Sequence, residues 1–413
     1  MATKARDGGR AAGRTEADSH CEAPERRLVA MTTLAFRARL PNVIVAPHPV
    51  IFWECHIIAG RRFMTRLRFA AAALGLVAGV LATVPAQAWK RGDVDVLATL
   101  PFATGSVEGL TVGPDGNIYA PTFGFNASGA LTGNALLFKI TPSGKVSKVT
   151  IGNSSPHMLG LRFNPATGAL WVLDFGAGKV LSVDPNSGGS TLLAGPIPNS
   201  GLNALTFDSS GNGYVSDSFN GTIWKIGPLG GGATNWKTDP LLGNGSGSLT
   251  PPFGANGVEF GNGGNTLFVA NTAFHQIIQI AVNSDSTAGA ASIFVSGINA
   301  PDGIAIDKHG NMWICANQED EIVVLDPKGK VIAKLGDFRG IDEDGIAKGL
   351  LFPASLAFSK DGSTLYVSNL TLYLPYADKF PGNLAIDSPW MLQVKGYTVS
   401  SLPAKIPPFP DGP

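Results

Sequence analysis

Six polar residues occupy a similar place in the sequence, each shortly before a run of apolar residues typical of a β-strand. They are Glu108, His157, Asn203, Asn256, Asp302 and Ser355. Carboxylate and amide oxygens are the ligands that hard divalent cations prefer, and an imidazole beside them can transfer protons. A fold that brings these side chains together would create a cation site with a general acid or base at its edge.

The charges of this set favour a bound metal. Glu108 and Asp302 are carboxylates, the set contains no Lys or Arg, and a cation would relieve the repulsion between the two. The predicted metal ligands are Glu108, Asn203, Asn256 and Asp302. Ca²⁺ suits such oxygen donors best, with Mg²⁺ or Mn²⁺ next, whereas zinc would call for His or Cys. The alternative is a set of polar channel residues that only bind water.

A sequence repeat explains why these residues recur. Each of six copies has an apolar strand, a turn closed by glycine and a second apolar strand, as in "NGVEFGNGGNTLFVANT". The turn glycines are Gly116, Gly168, Gly211, Gly264, Gly310 and Gly362, with a period of about 49 residues. A third strand follows most pairs, and a fourth precedes the next copy. The pattern predicts an all-β fold, a six-bladed β-propeller with four antiparallel strands per blade. Its innermost strands would present the six polar residues to the central channel.

A propeller must also close its ring. The segment 94–100 precedes the first repeat and is left over, so we expect it to join the last blade as its outer strand, because an unpaired strand edge is a liability. The aromatic residues of the strands are predicted to pack blade against blade. They are Trp171, Phe207, Trp224, Phe260, Trp313 and Phe358.

The first 88 residues are predicted to lie outside the propeller. Residues 64–88 have a basic start, an apolar run and an A-x-A motif, which together are typical of a secretory signal peptide cleaved before Trp89. The apolar run is short for a membrane span. Residues 1–63 are interpreted as a non-native or disordered upstream extension. Residues 89–413 would form the single propeller, secreted or periplasmic, with no membrane span after cleavage.

The composition of the predicted mature chain limits its partners. Residues 89–413 carry 19 Lys and Arg against 25 Asp and Glu, a formal net charge of −6. This net negative charge argues against nucleic acid or an anionic membrane as the main partner. Cys315 is the one cysteine in this range, so no internal disulfide is expected. We expect a monomer that acts on a small molecule.

Other features of the sequence carry less chemistry. Segments 123–134, 227–254 and 370–389 are interpreted as functional or mobile loops because of their length. Ser355 has no Gly-x-Ser-x-Gly elbow around it and is interpreted as a channel residue that holds water or substrate, not as a nucleophile. His275 is interpreted as structural.

The motifs "EGLTVGPDGNIYA", "NGVEF…LFVANT" and "APDGIAIDKHGNMWICAN" resemble those of the gluconolactonase, regucalcin (senescence marker protein) and luciferin-regenerating enzyme family. The resemblance implies a six-bladed, calcium-type propeller that hydrolyses lactones and related esters. It implies metal binding by Glu108, Asn256 and Asp302. Asn203 would lie beside the metal and the substrate, and Asp302 would be the general base.

The sequence also departs from this family. Sugar-lactone members carry an Arg two residues before the blade-three Asn, where this chain has Gly201, which argues against gluconolactone as the substrate. The motif "SPHMLGL" resembles the blade-two His of the paraoxonase-like arylesterases and lactonases, which makes His157 a second catalytic candidate. The paraoxonase pattern has Asn after the blade-five Asp, however, and this chain has Gly303.

Two functions are therefore predicted. The first is a secreted, metal-dependent hydrolase of a lactone or ester, with Asp302 and His157 as catalytic residues and Asn203 and Ser355 as substrate-binding residues. The alternative is a non-catalytic, NHL-like binding propeller whose axial cation is structural. A lyase that opens lactone rings by elimination at a metal and a His is a third interpretation.

Overall fold

The structure is a computed structural model, and it describes residues 91–126, 129–245, 253–371 and 393–407. The predicted segments 1–63 and 64–88 lie outside these residues, as do parts of the three predicted loops. The described residues form strands and three short 3₁₀ turns, with no α-helix. The turns span Phe102–Thr104, Pro240–Leu242 and Asn317–Glu319. No helical segment in this part of the chain is long and apolar enough to cross a membrane.

The strands form six four-stranded antiparallel sheets, which follow one another along the chain. A first strand, β1 (Asp95–Pro101), comes before them. Blade 1 contains β2 (Thr111–Val112), β3 (Ile118–Pro121), β6 (Leu136–Ile140) and β7 (Val146–Thr150), with a small hairpin of β4 (Phe125–Asn126) and β5 (Gly129–Ala130) before β6. Blade 2 contains β8 (Met158–Phe163), β9 (Leu170–Asp174), β10 (Lys179–Val183) and β11 (Ser190–Ala194). Blade 3 contains β12 (Leu202–Phe207), β13 (Gly213–Asp217), β14 (Thr222–Ile226) and β15 (Ala233–Thr238).

The second half of the ring has the same plan. Blade 4 contains β16 (Ala255–Phe260), β17 (Thr266–Asn271), β18 (Gln276–Val282) and β19 (Ala288–Ser296). Blade 5 contains β20 (Pro301–Ile306), β21 (Met312–Ala316), β22 (Glu321–Leu325) and β23 (Val331–Leu335), followed by a hairpin of β24 (Phe338–Ile341) and β25 (Ala347–Gly349). Blade 6 contains β26 (Pro353–Phe358), β27 (Thr364–Asn369) and β28 (Gly396–Pro403). The predicted six-bladed β-propeller is confirmed.

The turns between the first two strands of each blade follow from their sequence. The turn glycines have positive φ, +81° at Gly211 and +82° at Gly310, a conformation that glycine adopts without steric cost. An aspartate begins both turns, and its carboxylate accepts hydrogen bonds from backbone N–H groups two and four residues on. Asp307 accepts from His309 at 2.8 Å and from Asn311 at 2.9 Å.

The hydrophobic core is divided among the blade interfaces. In the described residues, one cluster of buried side chains lies between each pair of neighbouring blades. Strand β9 shows how the strand periodicity creates this pattern: Leu170 and Val172 pack towards blade 1, whereas Trp171 and Leu173 pack towards blade 3. The ring of Trp171 meets Phe207 of blade 3 at 5.0 Å between centroids, as the predicted packing of aromatic residues requires. Both faces of a blade are therefore apolar.

Strand β1 closes the ring, as predicted. It pairs antiparallel with β28, so that it becomes the fourth and outermost strand of blade 6. Leu100 is fully buried opposite Tyr397 and belongs to the cluster between blades 6 and 1. Cys315 is buried and free, so the ring is held by strand pairing and by packing.

Replacement of Leu100 by Ala tests the contribution of the closing strand to stability. We expect the free energy of unfolding to fall by about 2–5 kcal/mol, because the change leaves a cavity in a fully buried position. Val96→Ala in the same strand is the matched control; Val96 is 38% exposed, and its loss should cost less than about 1 kcal/mol. Urea denaturation measures the free energy of unfolding of both variants. Equal losses of stability in the two variants would contradict the packing of Leu100 in the closing strand.

Candidate functional site

Irregular pairing sets the direction of the predicted ligands. In blades 3, 4 and 5 the inner strand is interrupted at the same place, between Leu202 and Leu205, between Ala255 and Val258, and between Pro301 and Ile304. Each interruption contains one predicted ligand: Asn203, Asn256 or Asp302. A bulge of this kind re-aims a side chain away from its regular position in the sheet.

The structure changes two members of the predicted set. Strand pairing places Leu159 and Ala354 at the equivalent positions of blades 2 and 6. We call these six residues the inner column: Glu108, Leu159, Asn203, Asn256, Asp302 and Ala354. His157 lies two residues before its column position and Ser355 one residue after. The prediction looked for a polar residue before each apolar run and therefore passed over the two apolar members of the column.

Neighbouring inner strands touch through their backbones at the level of the column. A Cβ atom on Gly257 would lie 2.1 Å from the carbonyl oxygen of Asp302, and one on Gly160 would lie 2.6 Å from that of Asn203. Only glycine permits such an approach. The motifs "NG" and "LG" in the repeats thus reflect the narrowness of the channel at this level.

Glu108 and Asp302 converge from blades that are not neighbours. Glu108 is 6% exposed and Asp302 is 4% exposed, and the charge of Asp302 acts on Glu108 although blade 6 lies between their blades in the ring order. This interaction requires both side chains to reach into the middle of the ring. The two carboxylates thus act on each other across the ring, and their role as metal ligands stays a prediction.

Burial changes the protonation of both groups. It raises the pKa of Asp302 to about 7, even though hydrogen bonds from Asn317 and Asn256 favour the ionised form. Burial also raises the pKa of Glu108 well above its ordinary value, and the negative charge of Asp302 adds to this effect. Among the described residues, no positively charged side chain lowers the pKa of either group.

Amide groups surround this acidic pair. The side-chain NH₂ of Asn317 donates to the Asp302 carboxylate at 3.0 Å, and that of Asn256 donates to the Thr272 hydroxyl at 3.0 Å. The side-chain oxygens of Asn256 and Asn317 are buried and accept no hydrogen bond from the described residues. A buried acceptor without a partner is costly, and two of them beside two carboxylates form a set of hard oxygen donors.

This donor set fits a hard cation and not a soft one. In the described residues, no three His, Cys, Asp or Glu side chains come together as a metal site. A cation at the column would therefore depend on amide oxygens as well as on Glu108 and Asp302. Ca²⁺ accepts such mixed oxygen ligands, whereas zinc prefers nitrogen and sulfur. The one nearby thiol, Cys315, has a raised pKa because it is buried and because Asp302 is close.

His157 is held in one orientation at the edge of the column. Its Nδ1 lies 2.7 Å from the carbonyl oxygen of Phe123, and since a carbonyl only accepts, Nδ1 carries the hydrogen. The imidazole stacks on Phe125 with 4.4 Å between ring centroids. In the neutral ring, Nε2 is therefore the basic nitrogen. His275 differs, because its Nδ1 accepts a hydrogen bond from the backbone N–H of Ala300, in line with the structural role predicted for it.

A chain of aromatic rings lies at the same end of the channel. Inner strands begin there and second strands end there, so the residues that flank them are brought together. We call this group the aromatic wall: Phe123, Phe125, His157, Phe175, Phe219 and Phe253. Each member has a ring contact with another, with centroids 4.4–6.4 Å apart. The sequence analysis missed this wall.

A second polar group crosses the channel on the other side of the column. Arg162 of blade 2 pairs with Glu259 of blade 4 at 2.5 Å, and the Thr206 hydroxyl of blade 3 donates to Glu259 at 2.8 Å. These residues line or adjoin a cavity of about 330 Å³, which Ser355 also lines. Ser355 thus lies behind the column as seen from the aromatic wall, where it is better placed to hold water than to contact a substrate.

Gln318 is a further polar residue that the sequence analysis missed. It is 2% exposed, and neither its side-chain oxygen nor its nitrogen has a hydrogen-bond partner in the described part of the chain. It follows Asn317, the donor to Asp302, after the end of strand β21. The repeats contain a signal for Asn317, namely a polar residue directly after the second strand. Ser218 and Thr272 occupy the equivalent place in blades 3 and 4.

The raised pKa values predict the pH dependence of stability in EDTA. A folded-state pKa above the unfolded value means that the folded protein binds more protons, so stability should fall as pH rises from about 4 to about 7. Each unit of pKa difference corresponds to about 1.4 kcal/mol. Asp302→Asn removes one titrating group and should make this decline shallower. Urea denaturation at a series of pH values measures both slopes, and equal slopes would contradict the burial of an ionisable Asp302.

Solved structures with this fold are similar to the chain at low sequence identity. A gluconolactonase of Xanthomonas campestris has 16% identity and a TM-score of 0.52, covering 78% of this chain and 93% of its own. Regucalcin of Agrobacterium tumefaciens, described as a calcium-binding protein, has 17% identity and a TM-score of 0.52, covering 75% and 92%. A streptogramin B lyase has 16% identity and a TM-score of 0.50, covering 77% and 100%. These likenesses support the propeller fold alone.

A family model adds a match in sequence. No curated protein sequence matches the chain significantly. Residues 249–336 match the model described as the SMP-30/gluconolactonase/LRE-like region. The matched range contains Asn256, Asp302 and Asn317, three of the polar residues around the acidic pair. The resemblance predicted from the motifs is therefore confirmed: the chain carries an SMP-30/gluconolactonase/LRE-like region on a six-bladed β-propeller.

Proposed function

We propose that the protein is a metal-dependent hydrolase of a lactone or ester, with its active site at the inner column. The observation that carries the proposal is the buried acidic pair of Glu108 and Asp302, with two amide oxygens beside it that accept no hydrogen bond. Evolving such a site costs stability, because buried charges and unpaired acceptors both disfavour folding. A cost of this kind is typical of functional sites.

The cation of this proposal is Ca²⁺, with Mg²⁺ or Mn²⁺ as alternatives. Its ligands would be Glu108, Asn203, Asn256 and Asp302. A bound divalent cation supplies a Lewis acid that polarises the carbonyl of the substrate and favours negative charge on its oxygen. The hydrogen bond from Asn317 holds the Asp302 carboxylate in place. Asn203, 4% exposed in the column, would contact the substrate beside the cation.

Two residues are candidates for the general base that activates water. His157 has its Nδ1 hydrogen fixed on the Phe123 carbonyl, which leaves Nε2 able to accept a proton. Asp302 has a pKa of about 7, close to the value that suits a base at neutral pH, but cation binding would lower it. We therefore assign proton transfer to His157 and metal binding to Asp302 in this proposal.

The proposal includes export. The segment 64–88 would direct the chain out of the cytoplasm and be cleaved before Trp89, so that the propeller acts as a secreted or periplasmic monomer. Calcium is abundant in such compartments, and weak oxygen sites of the kind proposed can be occupied there.

Calcium dependence is the first test. Hydrolysis of a panel of lactones and aryl esters should vanish in EDTA and return with Ca²⁺, and Ca²⁺ should raise the melting temperature. Asp302→Asn should lose both effects, with kcat/KM at least about 100-fold lower because a charged ligand is lost. Asp320→Asn is the matched control: Asp320 is also buried with a pKa raised to about 7, but it accepts a hydrogen bond from the backbone of Phe352. Stabilisation by Ca²⁺ without turnover of any substrate would favour a binding propeller with a structural cation.

The two candidate bases are separated by His157→Asn. The new amide can still donate to the Phe123 carbonyl but has no group at the place of Nε2. We expect turnover to fall by about 10²–10⁴-fold while stabilisation by Ca²⁺ is unchanged. Unchanged turnover would instead assign the base to Asp302.

A further inference from the structure

The aromatic wall is a continuous apolar surface that meets the inner column. Phe219 is 41% exposed, and Phe125, Phe175 and Phe253 are half-buried. The rings contact one another, from Phe219 and Phe253 at 5.9 Å through Phe175 to the buried Phe123. A continuous row of rings that is partly open to solvent is typical of a place where an apolar partner binds.

The wall joins the column through its two apolar members. Leu159 and Ala354 belong to one hydrophobic cluster with Phe123, and Phe125 and Phe175 pack against that cluster. In the ring order Leu159 and Ala354 flank Glu108, so the acidic pair lies next to apolar residues that extend to the rings. A molecule whose carbonyl lies at the acidic pair would place its substituent towards the rings.

The aromatic wall leaves no room for a side chain at position 201, which is a glycine in this chain. A Cβ atom on Gly201 would lie 2.9 Å from the ring of Phe219, so that no larger residue fits while the ring keeps its position. Gly201 comes two residues before Asn203, a column member. Phe219 thus occupies the space beside Asn203 that a hydrogen-bonding side chain from position 201 would need.

We propose that the site takes a lactone or ester that carries an uncharged aryl or branched alkyl substituent, and that this substituent packs on Phe219, Phe253 and Phe175. The inference rests on the proposed hydrolase function and adds the substrate class. An aromatic substituent matches the offset and edge-to-face contacts that these rings already make with one another. An anionic substituent would lose its hydration on this apolar surface.

Turnover of three lactones by the protein with Ca²⁺ tests the substrate class. We expect kcat/KM for γ-phenyl-γ-butyrolactone to exceed that for γ-butyrolactone by about 100-fold, and glucono-1,5-lactone to be a poor substrate. Phe219→Ala should lower kcat/KM for the phenyl lactone by about tenfold and that for γ-butyrolactone by less than about twofold. Equal losses on both lactones, or a preference for the sugar lactone, would overturn the proposal.

A matched control addresses general loss of stability. Phe294→Ala also removes a partly buried ring, one that contacts Phe268 at 5.0 Å on the outermost strand of blade 4, away from the channel. The ratio between the phenyl lactone and γ-butyrolactone should be unchanged in this variant. A change as large as that in Phe219→Ala would contradict a specific role of the wall.

Binding of lactams separates this inference from the proposed hydrolysis. Calorimetry with 5-phenyl-2-pyrrolidinone and with 2-pyrrolidinone measures recognition without turnover. Tighter binding of the phenyl compound, weakened about tenfold by Phe219→Ala, supports the wall even if no lactone is hydrolysed, in which case only the hydrolase proposal fails. Turnover of lactones with no dependence of binding on the phenyl group would overturn the wall and leave the hydrolase proposal intact.

Discussion

The arrangement of the channel depends on how closely the inner strands approach one another. Backbone touches backbone at Gly257 and Gly160, where no Cβ atom fits. This contact narrows the ring until residues from different blades meet, and the accompanying bulges turn Asn203, Asn256 and Asp302 out of regular pairing. Desolvation of the carboxylates, their raised pKa values and the unpaired amide oxygens all follow from this narrowness. A wider ring would fill with water, and the same side chains would have ordinary properties.

The column combines polar and apolar residues at one end of the channel. Four polar members, from blades 1, 3, 4 and 5, form a desolvated cluster, whereas Leu159 and Ala354 extend the hydrophobic cluster that contains Phe123. A carbonyl compound with an apolar substituent likewise combines a polar and an apolar part. The proposed reaction and the proposed substrate class are therefore linked, since the polar surface orients the reacting group only if the apolar surface holds the rest of the molecule.

Much of this organisation could be predicted from the sequence. The repeat with its turn glycines fixes the number of blades, and the spare segment before the first repeat predicts the closing strand, because both depend on local patterns. Glu108 and Asp302 could be recognised for the same reason. Leu159 and Ala354 could not, because the position of a bulge depends on strand pairing, and blade 6 is interrupted by one residue where blades 2 to 5 have two. The aromatic wall could not be predicted either, because its side chains come from different blades and meet only when the propeller is closed. A single Phe after a strand, such as Phe175 or Phe219, has the pattern of an ordinary core residue.

The closing strand has a consequence for how the chain folds. Asp95 pairs with Ser401, so the first described strand finds its partner only after the last blade has formed. Contacts of such high sequence separation are slow to form, because the entropy of a long loop is lost before any pairing compensates for it. Until then the edge of β28 is open, and the interface between blades 6 and 1 is incomplete. The same topology suggests that the natural termini are not the most favourable ones for rapid folding: a circular permutant that begins at β2 and ends with β1 would convert this distant pairing into a hairpin.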